Sequence, residues 1–328
     1  MNKRNYLFDI LKGLSIIFVC ITHFAWQQKE RLNLLFPYWI SMAVPIFMII
    51  TGFLSAASYN KIENINIKKI YNINNLKNKI IKYLIPFIIF YIFEIIINLI
   101  VGDGLSIISI IKGFFVGGLK KYGTYYLPVL IQLTLIFPAL FLLIKKYKYG
   151  LHICFIINLL YEILKNILHM PGSVYRIVAF RYIFMISCGC YIYFNKEKLK
   201  DSKMKLLLSL IFGIFYIWLI SYSGYKPMLL NKWKNTSMMT AFYICPIFVL
   251  LIDKFKEKRL YILEKIGEKS YFIFLFQIIY YNYINKYVLI NNRTIKMVIG
   301  VLICLVCGYI YGIIYDKIRK LCNTHKTQ

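Results

Sequence analysis

Residues 83–102 read YLIPFIIFYIFEIIINLIVG, and this stretch decides the fold class. It holds one charged side chain, Glu94, and its apolar residues would cover every face of a helix instead of one stripe. An α-helix rises 1.5 Å per residue, so a run of this length covers about 30 Å, the hydrocarbon thickness of a bilayer. The stretch predicts a membrane-spanning helix. Similar windows lie on both sides of it, at 7–26, 38–58, 125–144, 150–168, 175–194, 206–223, 237–252, 270–288 and 295–315. The run from Leu105 to Val116 is too short to cross and reads as interfacial or re-entrant. The expected fold is therefore all-α: a polytopic helical bundle of about ten spans, with residues 1–328 forming a single transmembrane domain.

Composition agrees. Of 328 residues 60% are hydrophobic, and 41 Lys and Arg face 13 Asp and Glu, a formal charge of +28 with a mean hydropathy of +0.63. A basic soluble nucleic-acid binder does not carry that hydropathy, and a disordered chain lacks such Ile, Leu and Phe content. Apolar helices in lipid joined by basic loops in water reconcile the two figures. With the N-terminus in the cytoplasm, 26 of the cations fall on inside segments and 11 on outside ones, Lys286 and Lys296 at the outer span ends being counted with the last outer loop, which predicts an N-in, C-in topology. Lys12, Lys165, Arg176 and Arg181 remain within spans. The N-terminal run has no small-x-small cleavage site and contains Asp9 and Lys12, so it reads as a retained first helix and not as a signal peptide. Most of the cysteines sit in apolar runs, where they act as small hydrophobes; their spacing supports neither disulfides nor a metal site, and Cys188-Gly189-Cys190 has the wrong spacing for a redox pair.

Charges inside spans are costly and point to function. Glu162 and Lys165 stand one turn apart near a helix end and read as a local ion pair with a snorkelling lysine, and Arg176 reads as snorkelling too. The first helix is more informative. At 100° per residue Lys12 and His23 lie about 20° apart around the helix and about 16 Å apart along it, with Asp9, Ile16 and Val19 on the same stripe. That stripe must face protein or a cavity, with a base at one end and a cation at the other.

Five segments, in order, carry a family resemblance. Asp9-Ile-Leu-Lys12-Gly13 with Thr22-His23 resembles the first helix of the membrane acyltransferase 3 family, multispanning O-acyltransferases that modify sugars and polysaccharides. The lysine before Gly13 is similar to the branch of fucose O-acetylases and polysaccharide-adhesin succinylases. Pro45-Ile-Phe47 with Thr51-Gly52-Phe53 resembles the second-helix pattern, with Thr51 where serine is common. Lys79-Ile-Ile-Lys82 with Pro86 resembles an Arg-x-x-Arg-x-x-x-Pro pattern with both arginines replaced, which keeps the charge and loses the planar fork. Tyr125-Tyr126-Leu-Pro128 with Gln132 and Pro138 resembles the fourth helix. Gly267-Glu-Lys-Ser270 with Gln277 resembles a Gly-x-x-Ser segment that ends in histidine in many members, so no base role carries over to Gln277.

The resemblance implies transfer of an acetyl or other small acyl group from cytoplasmic acyl-CoA, a co-substrate and not a bound cofactor, to a hydroxyl of a polysaccharide or lipid-linked sugar. The implied setting is the bacterial plasma membrane, with membrane lipids as the surroundings and no nucleic-acid partner. No fused hydrolase-like domain is expected after the last helix. His23 is the expected base, its imidazole titrating near neutral pH; direct deprotonation and a transient acyl-histidine both remain open. Lys12, Lys79 and Lys82 are the expected phosphate contacts. Asp9 is expected to orient Lys12, and Glu94 to pair with Arg181 or touch acceptor hydroxyls. Arg181, Gln132 and Tyr126 are expected on the acceptor side, where Tyr122, Tyr125 and Tyr126 could stack on a sugar ring. The competing reading is a transporter or flippase for a lipid-linked sugar, which would use Asp9, Glu94 and Arg181 equally well.

Overall fold

Residues 83–101 form the greater part of one helix, Ile73–Val101, as their uninterrupted apolar character requires. The structure is a computed structural model, and it describes residues 5–101, 104–120, 125–224, 233–255 and 257–324. Among these residues the regular structure is all helical. In chain order the α-helices are α1 Leu7–His23, α2 Gln28–Asn33, α3 Ala43–Tyr59, α4 Ile67–Ile70, α5 Ile73–Val101, α6 Ile107–Val116, α7 Tyr126–Lys146, α8 Gly150–Ile167, α9 Gly172–Ile177, α10 Ile183–Asp201, α11 Lys203–Ser221, α12 Ala241–Lys254, α13 Tyr261–Glu268, α14 Ser270–Ile279 and α15 Arg293–Thr324.

Among the described residues, six helical stretches are long and apolar enough to cross a membrane: Phe36–Tyr59, Ile67–Val101, Tyr126–Lys146, Gly150–Ile167, Lys203–Ser221 and Arg293–Cys322. The other four expected spans are helical but differ in build. Helix α1 is a single unbroken helix. Residues 175–194 are divided between α9, a 3-10 turn Ala179–Tyr182 and α10, whose C-terminal turns are charged. Residues 237–252 enter α12 through a 3-10 turn, Met238–Thr240. Residues 270–288 begin as α14, widen into a π-helical turn at Tyr280–Ile284 and tighten into a 3-10 turn at Asn285–Tyr287. The stretch expected to be interfacial is α6, ten residues long, stopped by Gly117 at φ 95.

The chain divides into two compact units. The first comprises Met1–Phe8, Trp26–Ile80 and Pro128–Arg259. Its centre is the pairing of α3 with α10: a Cβ on Gly52 would run into the Ile186 carbonyl, and one on Gly189 into the Ile49 carbonyl. Glycines at facing positions let two backbones touch, the usual device for packing helices whose surroundings are as apolar as their cores. Helix α8 joins α10 through Phe155 against Phe184 and through Asn158, which accepts the Phe184 amide at 3.2 Å. Helices α11 and α12 meet at Gly213 and Tyr243, and Ser209 donates to the Phe242 carbonyl at 2.9 Å.

The second unit comprises Asp9–Ala25, Ile81–Leu127 and Leu260–Gln328. Here α1 lies on α13, with Gly13 against the Leu263 carbonyl and Gly267 against the Asp9 carbonyl. Gly308 of α15 packs on Ile273 of α14. Tyr271 donates to the Tyr83 carbonyl at 2.8 Å and Tyr311 to the Pro86 carbonyl at 2.6 Å, tying α5 to α14 and α15. The Tyr91 hydroxyl holds α6 through the Ile110 carbonyl at 2.5 Å.

Candidate active site

The second unit contains the first-helix stripe. Because α1 is continuous, the separation of Lys12 and His23 along it stands at about 16 Å. Between them Ile16 and Cys20 are fully buried and Val19 nearly so. The stripe faces protein. Lys12 lies 3.4 Å from Asp9, an i,i+3 ion pair with side chains 26% and 12% exposed. His23 ends the helix, half-buried, with its ring 6.1 Å from that of Tyr281. Just beyond it, the Arg293 guanidinium lies over the Phe24 ring at 5.7 Å and donates to the Ala25 carbonyl. The helix end that presents the imidazole is thereby fixed.

Tyr281 belongs to the π-helical turn. Such turns insert one extra residue into a helix, rotate the side chains that follow, and recur at functional positions. One turn before it, fully buried Gln277 leaves both atoms of its amide without a hydrogen-bond partner, as do the hydroxyls of Tyr280, Tyr281 and Ser15. Buried polar groups are rarely left so, because each costs about 1–3 kcal/mol. Of these, Tyr281 has its ring beside the imidazole, and no spacing in the sequence marked it.

Glu94 is fully buried in the same unit. One of its oxygens accepts the Leu119 amide at 3.0 Å, and the other receives the Tyr283 hydroxyl at 3.4 Å. Tyr283 in turn accepts from Asn98 at 3.0 Å, and the Lys120 ammonium lies 4.5 Å above its ring. Tyr126 is half-buried with its ring 4.8 Å from that of Phe274, and Lys82 is exposed. Tyr122 lies outside the described residues.

The first unit contains Lys79, Gln132 and Arg181. Lys79 is half-buried with its ammonium 3.9 Å above the Tyr59 ring. Gln132 is a structural clamp: its amide nitrogen donates to the Ile177 carbonyl at 2.9 Å and its oxygen accepts the Ala179 amide at 3.1 Å. It holds the turn that leads to Arg181. The buried Arg181 lies over the rings of Tyr175 and Tyr182 and donates to the Thr236 hydroxyl at 2.9 Å. Within this unit, Glu162 acts on it electrostatically. Lys165 does not snorkel. It is 5% exposed, with its ammonium 4.0 Å over Tyr175, and the Tyr175 hydroxyl donates a hydrogen bond to Glu162 at 2.6 Å. Among the described residues, no three His, Cys, Asp or Glu side chains gather as a metal cluster would need.

A chain whose described residues are helical, with several bilayer-length apolar helices and with a histidine and an ion pair on one stripe of the first helix, is a multi-pass membrane protein. Residues 5–313 match the acyltransferase domain family Acyl_transf_3, so the chain belongs to that family and is a membrane acyltransferase. No curated protein and no solved structure matches it.

Proposed function

We propose that this chain is an O-acyltransferase that moves an acetyl or other small acyl group from acyl-CoA to a hydroxyl of a cell-surface or exported polysaccharide or sugar. The observation that supports it best is the position of His23, at the end of an unbroken helix whose stripe also holds the Lys12–Asp9 pair, in a chain of an acyltransferase family. The imidazole takes the hydroxyl proton, the oxygen bonds to the thioester carbonyl carbon, and the carbon–sulfur bond breaks. The CoA thiolate leaves and recovers the proton from the imidazolium. Lys12 and Lys82 meet the nucleotide phosphates, and the pantetheine arm follows the stripe from Lys12 toward His23. The reading includes one ten-span N-in, C-in domain in a bacterial plasma membrane, with acetyl as the default group.

Membranes given labelled acetyl-CoA and a candidate glycan test it. Labelling should fall by at least about a hundredfold in His23→Ala, the weight of a general base, while the variant keeps the native melting temperature. Unchanged labelling in that variant removes His23 from the chemistry. Counterflow of an unmodified sugar into vesicles, with no labelling, would favour transport.

A further inference from the structure

The ring of Tyr281 lies 6.1 Å from that of His23, and only 8% of the residue is exposed. Its hydroxyl is buried with no hydrogen-bond partner among the described residues. The same holds for both amide atoms of Gln277, a side chain shut off from solvent altogether. The two residues are four apart, so they share a helix face, about 40° apart around the axis and about 6 Å apart along it. Neighbouring Tyr280 turns instead to α15, its hydroxyl against Gly300. Contacts with α1 fix the direction of this face. Gly267, just before α14, meets Asp9 and Gly13, whereas Tyr281 meets His23. The segment from α14 into the π-helical turn therefore follows α1 from its Lys12 end to its His23 end. Gln277 lies on the Lys12 side of Tyr281.

Unpaired buried polar atoms are costly, and a set of them on one face specifies what would pair with them. A phenol hydroxyl can donate; a glutamine amide donates from its nitrogen and accepts at its oxygen. A thioester on a pantetheine arm offers the complementary groups in the same order. Its carbonyl oxygen accepts, and the arm behind it carries secondary amides, each with one N–H and one C=O. Four bonds separate the thioester carbon from the first amide nitrogen, about 5 Å when extended, against the step of about 6 Å from Tyr281 to Gln277.

We infer that Tyr281 and Gln277 seat the reacting end of the donor. The Tyr281 hydroxyl donates to the thioester carbonyl oxygen, while the Gln277 oxygen accepts an N–H of the arm and its nitrogen donates to an arm carbonyl. Tyr281 keeps its proton throughout: negative charge gathers on the carbonyl oxygen as the acceptor hydroxyl adds, and leaves it as the carbon–sulfur bond breaks. The inference rests on the acyl-CoA reading above and adds two contacts to it.

The full chain in nanodiscs is titrated with acetyl-CoA, labelled with carbon-13 at the carbonyl, and with adenosine 3′,5′-bisphosphate, which has the nucleotide end without the arm. Gln277→Met should bind acetyl-CoA about tenfold more weakly, the weight of a lost buried hydrogen bond, and the bisphosphate as the parent does. The infrared carbonyl stretch of bound acetyl-CoA should lie below that of the free donor, and return toward it in Tyr281→Phe. In the glycan-labelling assay Tyr281→Phe should lose about a hundredfold or more in kcat with KM for the donor little changed, as loss of one oxyanion donor does. Both variants should melt no lower than the parent, because each removes buried polar atoms that have no partner. Parent-like donor affinity in Gln277→Met, or a parent-like kcat and carbonyl stretch in Tyr281→Phe, would overturn the inference while leaving the acyl-CoA reading intact. Equal weakening of acetyl-CoA and the bisphosphate, with a lower melting temperature, would make Gln277 a packing residue and overturn it as well. A parent that binds neither ligand would overturn the acyl-CoA reading and this inference together.

Discussion

Gly267→Ala is the sharpest probe of how the His23 helix is held. A Cβ at Gly267 would overlap the Asp9 carbonyl oxygen, 2.7 Å from its carbon and 3.0 Å from the Gly13 nitrogen. The reciprocal Cβ at Gly13 would overlap the Leu263 oxygen, 3.1 Å from its carbon and 3.3 Å from its Cα. Ordinary contact is about 3.5–4.0 Å, so one helix must shift by about 1 Å, and no side chain can rotate away because the obstacles are backbone atoms. Alanine gains about 1 kcal/mol over glycine in helix propensity, whereas overpacking costs about 1–3 kcal/mol. With backbone on backbone the upper end applies and overpacking wins by about 1–2 kcal/mol, a loss of roughly 2–5 °C in melting temperature. Gly13→Ala should cost a similar amount. The double variant should cost less than the sum by at least about 0.5 kcal/mol, since both methyls open one contact. Melting in detergent and acyl transfer are measured on all three, with Gly172→Ala, where a Cβ meets nothing within 4 Å, as the control. Transfer should fall in each, because the displaced helix carries Asp9, Lys12 and His23. If Gly267→Ala melts at or above the parent temperature with full activity, the packing argument fails.

Two further outcomes follow from the charges. Asp9→Asn removes the partner of Lys12 in a pair that keeps some solvent contact, so stability should drop by no more than about 1 kcal/mol. If Lys12 meets the donor phosphates, KM for acyl-CoA should rise more than kcat falls, as steady-state kinetics would show. Lys234 leaves side-chain surface in solvent, yet protein packed around its ammonium, and then Arg176, Arg181 and Lys165, lower its pKa to about 8. Between about 8 and the usual 10.4 the unfolded chain binds this proton and the folded chain does not, so its share of stability grows with pH across that window and is constant below it. The difference in melting temperature between the parent and Lys234→Gln, measured from pH 6 to 10, should follow that course.

Some of this was legible from residue order alone, for physical reasons. An apolar run long enough to cross a bilayer has one regular solution in lipid, so the helix at 83–101 and the stripe on α1 could be read from spacing. The partners of the buried charges could not be read. Glu94 is held by Leu119, from the turn after α6, and by Tyr283, far along the chain; Lys165 is held by Tyr175 across a turn. The π-helical turn that presents Tyr281 was equally hidden, because its residues, YYNYI, suit an ordinary helix. The glycines show a different limit. Gly13, Gly52 and Gly267 entered as marks of a family resemblance, and Gly189 as the spacer of an unlikely redox pair. All four are points where a Cβ would strike another helix's backbone. Such patterns therefore mix two kinds of constraint. Glycine marks where helices must touch, whereas His23 and Lys12 mark chemistry on a helix so placed. The two separate experimentally: alanine at Gly267 should lower melting temperature and activity together, whereas alanine at His23 should lower activity alone.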